Sequence, residues 1–442
     1  MSDSLPPGPR GFDAYGFFGR GSVGRAVAFL QRTAQTYGPI SSFRVLNQRI
    51  CLVDDAEIIK QILVTDQHKF VRDSGATLLR ELVGDGLLTS DEPRHRERRR
   101  VMQPAFHREQ VASYANAMVT EAERMALAWR SSDRVDIGAE MKRLTLSVVG
   151  SALFGVDFGA STARIADVLQ RAIRRSAYIS LALPLLEPLL VAYRRRRPDQ
   201  PSVFFRRERS ELEQIIAPIL QSRRERAEGD LLSLLLGYGE LSEEDISNEI
   251  VTLVLAGHET TATALTWAWY LLSKHPGIER KLQEEADTVL GDREATFDDV
   301  PRLSYTSMIF SEALRLYPPA LAFGRRPIEH IELGGFRIAP KTSIILSPYI
   351  TQRNPRYFGR PEEFNPDRWL NQDWPKFAYF PFGAGAKMCI GDSFAKLEGV
   401  LVLATLAKHW ALRREDESVV GVQPGITLGP DRVIWMSPVP RR

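Results

Sequence analysis

The chain has 442 residues, 44% hydrophobic and 26% charged, a soluble globular profile that allows one large domain or up to three ordinary ones. A formal net charge of +3 is too small to argue for nucleic acid, so no such partner is expected. The two cysteines, Cys51 and Cys389, lie far apart with no C-x-x-C or Cys/His spacing, which excludes a disulfide-stapled secreted scaffold and a zinc site. This usage fits a reducing, cytoplasmic compartment.

Met1 to Leu5 lacks the apolar core of a signal peptide and runs directly into Pro6-Pro7-Gly8-Pro9, so residues 1–12 read as a flexible, proline-rich start. Residues 38–54 alternate enough for a strand pair, with Asn47-Gln48 as the turn and Cys51 as a small apolar strand residue. A basic run follows: Arg94, Arg96, Arg98, Arg99 and Arg100. Within it His95 and Arg99 stand four apart, on one face of a helix. Charged, helix-favouring segments continue through residue 290. The most apolar stretch, Ala177 to Tyr193, is too short to span a bilayer and contains Pro184, Glu187 and Pro188. It reads as a helix–loop–helix packed on the protein itself. The arginines flanking it, Arg174, Arg175 and Arg194 to Arg197, leave a peripheral membrane contact open.

Ser242 with Asp245 forms an S-x-x-D start for a helix that Pro276 ends near Lys274. Its centre, Ile250 to Leu265, is apolar almost all round, so this helix should be buried. In its middle lies Ala256-Gly257-His258-Glu259-Thr260-Thr261. The small residues leave room beside the backbone, Thr260 can bond the carbonyl one turn back, and Glu259 is an acid among apolar neighbours, costly unless it is solvated or functional. Glu312 and Arg315 stand three apart before Pro318-Pro319 stops their helix. Residues 320–350 turn strand-like, with a hairpin at Ile331 to Phe336, and Val419 to Pro438 is again rich in strand and turn signals. Phe382-Gly383-Ala384-Gly385-Ala386-Lys387-Met388-Cys389-Ile390-Gly391 is a glycine-rich loop around one cysteine. Such glycines let the backbone pass close to a flat macrocycle and aim N–H groups at the sulfur, so Cys389 suits the axial position of a haem iron. No repeat or low-complexity linker divides the chain.

These motifs, in this order, resemble those of cytochromes P450, soluble bacterial type, over nearly the whole chain. The resemblance implies one mainly α (α+β) domain over residues 1–442, with a long central distal helix and small β-sheets. It implies a b-type haem (iron protoporphyrin IX) with Cys389 as the metal ligand and Phe382 and Gly391 in the cofactor loop. Glu259 and Thr260 take the catalytic places that manage proton delivery during oxygen activation. Glu312, Arg315 and Arg368 form a structural ion-pair triad. His95, Arg99 and Arg325 match propionate-binding positions, Arg326 beside Arg325 leaving that place uncertain by one residue. Lys387 departs from the family, which usually carries Arg or His there. Ala256, Ala320, Leu321, Ala322 and Phe323 match substrate-pocket positions.

The implied activity is monooxygenation of an apolar small molecule with O2 and two electrons from a separate ferredoxin or flavodoxin with its reductase. No flavin or nicotinamide motif occurs in the chain, and Arg96, Arg98 and Arg100, with Lys387, read as the docking patch. A monomer is expected. A P450-like peroxygenase or isomerase, or a non-catalytic haem-binding sensor, are the competing readings. The stretches 256–267, 346–353 and 382–399 are similar to those of P450s that hydroxylate carotenoid rings, and also to P450s acting on fatty acids and sesquiterpenes.

Overall fold

The computed structural model describes residues 5–9, 23–45, 48–159, 161–196, 204–224 and 230–441. The architecture is mainly helical, as the resemblance implied. Its axis is the 32-residue helix Glu243–Lys274. Ser242 caps it by accepting the Asp245 backbone N–H, and the Asp245 side chain returns the bond, the capping box legible in the sequence. This central helix is buried along most of its length and packs closely against the helix Ile137–Leu153. At Gly257 an added Cβ would lie 2.8 Å from Val149, so a small residue there sets the helix separation. Thr145 also donates to the His258 carbonyl at 3.0 Å, pinning the same crossing.

The largest sheet has five strands in the order Ile40–Val45, Gln48–Val53, Ser343–Leu346, Phe323–Pro327 and Phe70–Arg72. The first two form the expected hairpin. Gln48 already pairs with Val45, so it belongs to the strand and not to the turn; residue 47 of the expected turn lies outside the described residues. Cys51 is fully buried in the second strand, and burial pushes its thiol up to about 12. Ile331–Leu333 and Phe336–Ile338 form the other expected hairpin, turning on Gly334 and Gly335, both at positive φ. Near the end, Trp435–Pro440 is the middle strand between Trp410–Arg414 and Val135–Asp136, and Val422–Pro424 pairs with Leu428–Pro430.

Two expectations change. Residues 161–196 form one helix of 36 residues, not a helix–loop–helix. Pro184 and Pro188 lie within it. No helix among the described residues is long and apolar enough to cross a membrane. Of the proline-rich start, residues 5–9 lie against the first strand: Ser42 donates its N–H to the Pro7 carbonyl at 2.8 Å and its hydroxyl to the Pro6 carbonyl at 2.7 Å. The rest of that segment lies outside the described residues.

Candidate active site

The cysteine loop is shaped by glycines at positive φ. At Gly385, φ +73°, a Cβ would lie 1.8 Å from the Leu63 carbonyl oxygen, so only glycine fits. The loop closes on itself: Cys389 N–H donates to the Phe382 carbonyl at 2.9 Å and Met388 N–H to the Gly385 carbonyl at 3.1 Å. Gly391 begins the helix Asp392–His409 and turns its N–H toward the Cys389 sulfur. Cys389 retains accessible surface, yet protein surrounds its thiol closely enough that burial pushes it up to about 11, against the Gly391 N–H and the nearby Arg99 and Lys396 charges. The two views describe different scales: the sulfur is open to an adjoining molecule but removed from bulk water. The Lys396 ammonium sits over the Phe382 ring at 5.1 Å.

Behind the loop stands the acid–arginine cluster. Arg315 grips Glu312 through Nε and Nη2, both at 2.9 Å, and Arg368 Nε adds a third bond at 2.8 Å. Both charged side chains of the helix are fully buried, which such a pair tolerates only when hydrogen bonded throughout. The remaining capacity is filled: Trp369 Nε1 and Asn365 N–H donate to Glu312, and Arg315 donates to the carbonyls of Gln352, Pro361 and Glu363. Gln352 is a residue that motif reading missed. It donates to the Leu314 and Arg315 carbonyls and accepts the Phe380 N–H, all at 3.0 Å. Phe380 in turn accepts the Gly383 N–H at 2.9 Å, so the cluster reaches the cysteine loop through one amide side chain. Nothing local in the sequence marks Gln352; it acts only through tertiary contact.

In the central helix, Thr260 is half-buried and donates to the Ala256 carbonyl one turn back. Glu259 is buried. Its carboxylate lies 3.2 Å from Lys142 Nζ and accepts the Thr427 hydroxyl at 3.2 Å. Its cost in an apolar helix is thus offset by a lysine from the neighbouring helix and a threonine from the C-terminal turn. An apolar cavity lined by Phe158, Ile165, Leu169, Leu212, Ile216, Val251 and Val254 lies on the opposite face of this helix and does not belong to the site.

The cytochrome P450 family model matches residues 6–434. The chain belongs to the cytochrome P450 family. Similar proteins include cyclooctatin synthase of Streptomyces melanosporofaciens, 38% identical over 92% of this chain and 89% of that one. Pentalenene oxygenase of Streptomyces avermitilis is 34% identical over 82% of each chain. Protein LUTEIN DEFICIENT 5, chloroplastic, of Arabidopsis thaliana is 30% identical over 85% of this chain and 67% of that one. The protein is therefore a haem-thiolate monooxygenase, dependent like its family on O2 and a source of electrons.

The residues of this P450 fit a haem. His95, Arg99, Arg325 and Lys387 converge near the cysteine loop: Arg99 donates to the Met388 carbonyl at 2.7 Å, and His95 is buried on the same helix, Nδ1 3.1 Å from Glu92. Burial, then the charge of Arg72, holds His95 below its ordinary range. Burial, then the charges of Arg72 and Arg325, does the same to Lys387, which reaches Asp91 at 3.0 Å. Cations that repel one another out of water call for anions, and haem carries two propionates. Of the adjacent pair, Arg325 is the buried one.

The residues read as a docking patch are placed otherwise than expected. Arg98 is no part of an exposed patch: it is 4% exposed and bonds Glu249 at 2.6 Å and Asp245 of the central helix. Lys387 also turns inward, toward Asp91. Arg96 and Arg100 remain exposed. Just before the strand Phe323–Pro327, Leu321 packs against the core cluster that includes Phe29 and Leu30, and Phe323 lies 3.6 Å from where a Gly383 Cβ would stand. Ala320 and Ala256 are half-buried and Ala322 is exposed.

Proposed function

We propose that this P450 hydroxylates an unactivated C–H bond of a terpenoid hydrocarbon skeleton, with b-type haem held by Cys389 and electrons from a separate acidic ferredoxin or flavodoxin and its reductase. One haem domain spans the chain. The substrate class is supported by the similarity to proteins named for cyclooctatin and pentalenene. A carotenoid ring is a substrate of the same chemical class, supported by the plant relative whose name refers to lutein.

The observation that carries the monooxygenase reading over a peroxide-driven enzyme or a sensor is the pairing of Lys142 with Glu259, next in sequence to Thr260. When bound, the haem supplies the oxygen chemistry, the cysteine sulfur donating electron density that favours O–O cleavage. The chain's own residues supply dryness, orientation and protons. Lys142 is 27% exposed while Glu259 is 5% exposed, so the carboxylate stands one residue from solvent. Glu259 takes a proton from the Lys142 ammonium, which solvent restores, and rotation away from Thr427 then carries that proton toward Thr260. The Thr260 hydroxyl, released from the Ala256 carbonyl, then donates into the space beside Gly257. A peroxide-driven enzyme has no need of this relay.

The reading is tested with purified protein, NADPH, a surrogate ferredoxin system and a panel of cyclic diterpenes, sesquiterpenes and carotenoids. A substrate shifts the Soret band and yields a product heavier by one oxygen atom, labelled from 18O2. A product formed only with hydrogen peroxide, without the electron carrier and without the 18O2 label, sinks the monooxygenase reading. No Soret shift with any terpenoid sinks the substrate class.

A further inference from the structure

The cysteine loop leans on a segment that lies far earlier in the chain. The short helix Ala56–Lys60 runs on into one wide π-helical turn, Gln61–Thr65, closed by the Asp66 N–H donating to the Gln61 carbonyl at 2.8 Å. Such turns are rare and concentrate at functional sites. This one presents the Leu63 carbonyl to Gly385, where an added Cβ would lie 1.8 Å from that oxygen and 2.9 Å from Gln67 Oε1. The backbone therefore comes close enough for a side chain to reach across. Gln67 Oε1 accepts the Ala386 N–H at 2.8 Å, over a separation of 319 residues. Ala386 is the second residue of one tight helical turn, Gly385–Lys387. The first N–H groups of any helical turn have no partner inside it, and Ala384, which precedes this one, supplies no side-chain cap. The missing cap comes instead from Gln67. The Met388 N–H closes the turn on the Gly385 carbonyl, and Cys389 follows at once. A neutral amide oxygen accepts the bond without placing a charge beside the sulfur.

Resting on Cys389 as the haem ligand, we propose that Gln67 is a positioning residue for the thiolate: it caps the turn Gly385–Lys387 and so holds the Cys389 sulfur toward the Gly391 N–H. Loss of the cap lets the turn fray. A frayed turn leaves the sulfur less of the N–H field that stabilises its charge, and hydrogen bonds to a ligating sulfur set both its basicity and the potential of the metal. The thiolate is then easier to protonate, and the potential moves negative. Gln67 carries no motif, so only the close approach of the π-helical turn exposes its role.

The test compares wild type, Gln67→Met, Gln67→Glu and Gln61→Met as holoproteins. Gln67→Met keeps the length of the side chain and removes the acceptor, whereas Gln67→Glu keeps the acceptor. Gln61→Met controls for disturbance of the π-helical turn, because the Gln61 amide bonds Asp66 and the Glu332 carbonyl, not the cysteine loop. Four quantities are measured: deuterium exchange of the peptide containing Ala386, the rate at which the reduced carbonyl spectrum of thiolate-bound haem is lost in mild urea, the ferric/ferrous potential, and the urea midpoint of global unfolding. In Gln67→Met, exchange and spectral loss should both run about three- to tenfold faster, the scale of one hydrogen bond. Its potential should shift negative, with a urea midpoint no lower than that of Gln61→Met. Gln67→Glu should restore wild-type exchange and spectral stability, and Gln61→Met should leave both as in wild type. Equal losses in Gln67→Met and Gln61→Met would reduce Gln67 to a structural part of the turn, and unchanged exchange at Ala386 would remove the cap. Faster exchange with an unaltered spectrum and potential would mean that the cap does not reach the sulfur. Each of these overturns the proposal. A wild type without the thiolate carbonyl spectrum overturns Cys389 as the ligand, and the exchange comparison then still decides whether Gln67 caps the turn.

Discussion

Thr260 spends its hydroxyl on the Ala256 carbonyl, a bond that must open for the residue to handle protons. Thr260→Ala should leave haem binding and the substrate-induced Soret shift intact while product per NADPH falls about tenfold, general acid–base groups being worth at least that much. The missing electrons should appear as hydrogen peroxide. Unchanged coupling would remove Thr260 from the relay. Its neighbour His258 shows the cost of the same crowded crossing. The ring is fully buried, and neither nitrogen finds a hydrogen-bond partner among the described residues. Burial, reinforced by Lys142, pushes it down to about 3. A depressed histidine contributes stability that is complete above its unfolded value near 6.5 and is lost as pH falls toward 3, at up to about 1.4 kcal/mol per pH unit. Urea midpoints at pH 7.5, 6 and 5 should therefore fall more steeply for wild type than for His258→Gln. Parallel curves would mean that the ring is not held neutral.

At the scale of elements, two buried ion clusters fasten helices. Glu312, Arg315 and Arg368 tie the helix Ser304–Leu316 to the segment before the cysteine loop. Arg315→Ala leaves Glu312 short of its principal partner in the core, a loss on the order of 3–5 kcal/mol. Such a protein should accumulate without haem, seen as a low Soret-to-280 nm ratio; a folded, haem-replete Arg315→Ala protein would show that the cluster is dispensable. Arg98 fastens the basic helix Arg94–Met102 to Glu249 and Asp245 in the first turns of the central helix, where Glu249 also accepts the Leu87 N–H at 2.9 Å. Charge reversal at Arg98 would set three carboxylates together out of water. Arg98→Glu should therefore lower the melting temperature sharply, not merely slow electron transfer. An unaltered melt would return Arg98 to the surface.

For the whole molecule, electron supply depends on which cations stay in solvent. Arg96 and Arg100 project from the same helix whose inward face carries His95 and Arg98, so one helix serves both the interior and a docking carrier. Exposed charges steer an acidic partner only within a screening length of about 8 Å at physiological ionic strength. Raising salt, or Arg100→Glu, should slow reduction by an acidic ferredoxin and leave dithionite reduction unchanged. Reduction indifferent to both places the docking face elsewhere.

What the sequence determined by itself were the features written in local chemistry. The glycine-bounded Cys389 loop, the S-x-x-D cap of the central helix, the small residues before Thr260 and the Glu312–Arg315 spacing each depend on residues a few positions apart. Each was legible for that reason. What only the tertiary structure decided is direction. Arg98, Arg99 and Arg100 are consecutive cations, yet helix periodicity and packing send the first to Glu249, the second to the Met388 carbonyl and the third to solvent. Gln352 links the acid–arginine cluster to Phe380 across 28 residues, and Lys142 meets Glu259 across a helix crossing set by Gly257. Strand register, which no local pattern encodes over such a separation, sets Arg72 against Arg325. The proline signals at Pro184 and Pro188 did not end the helix Ser161–Arg196, so a local breaker alone did not set that boundary.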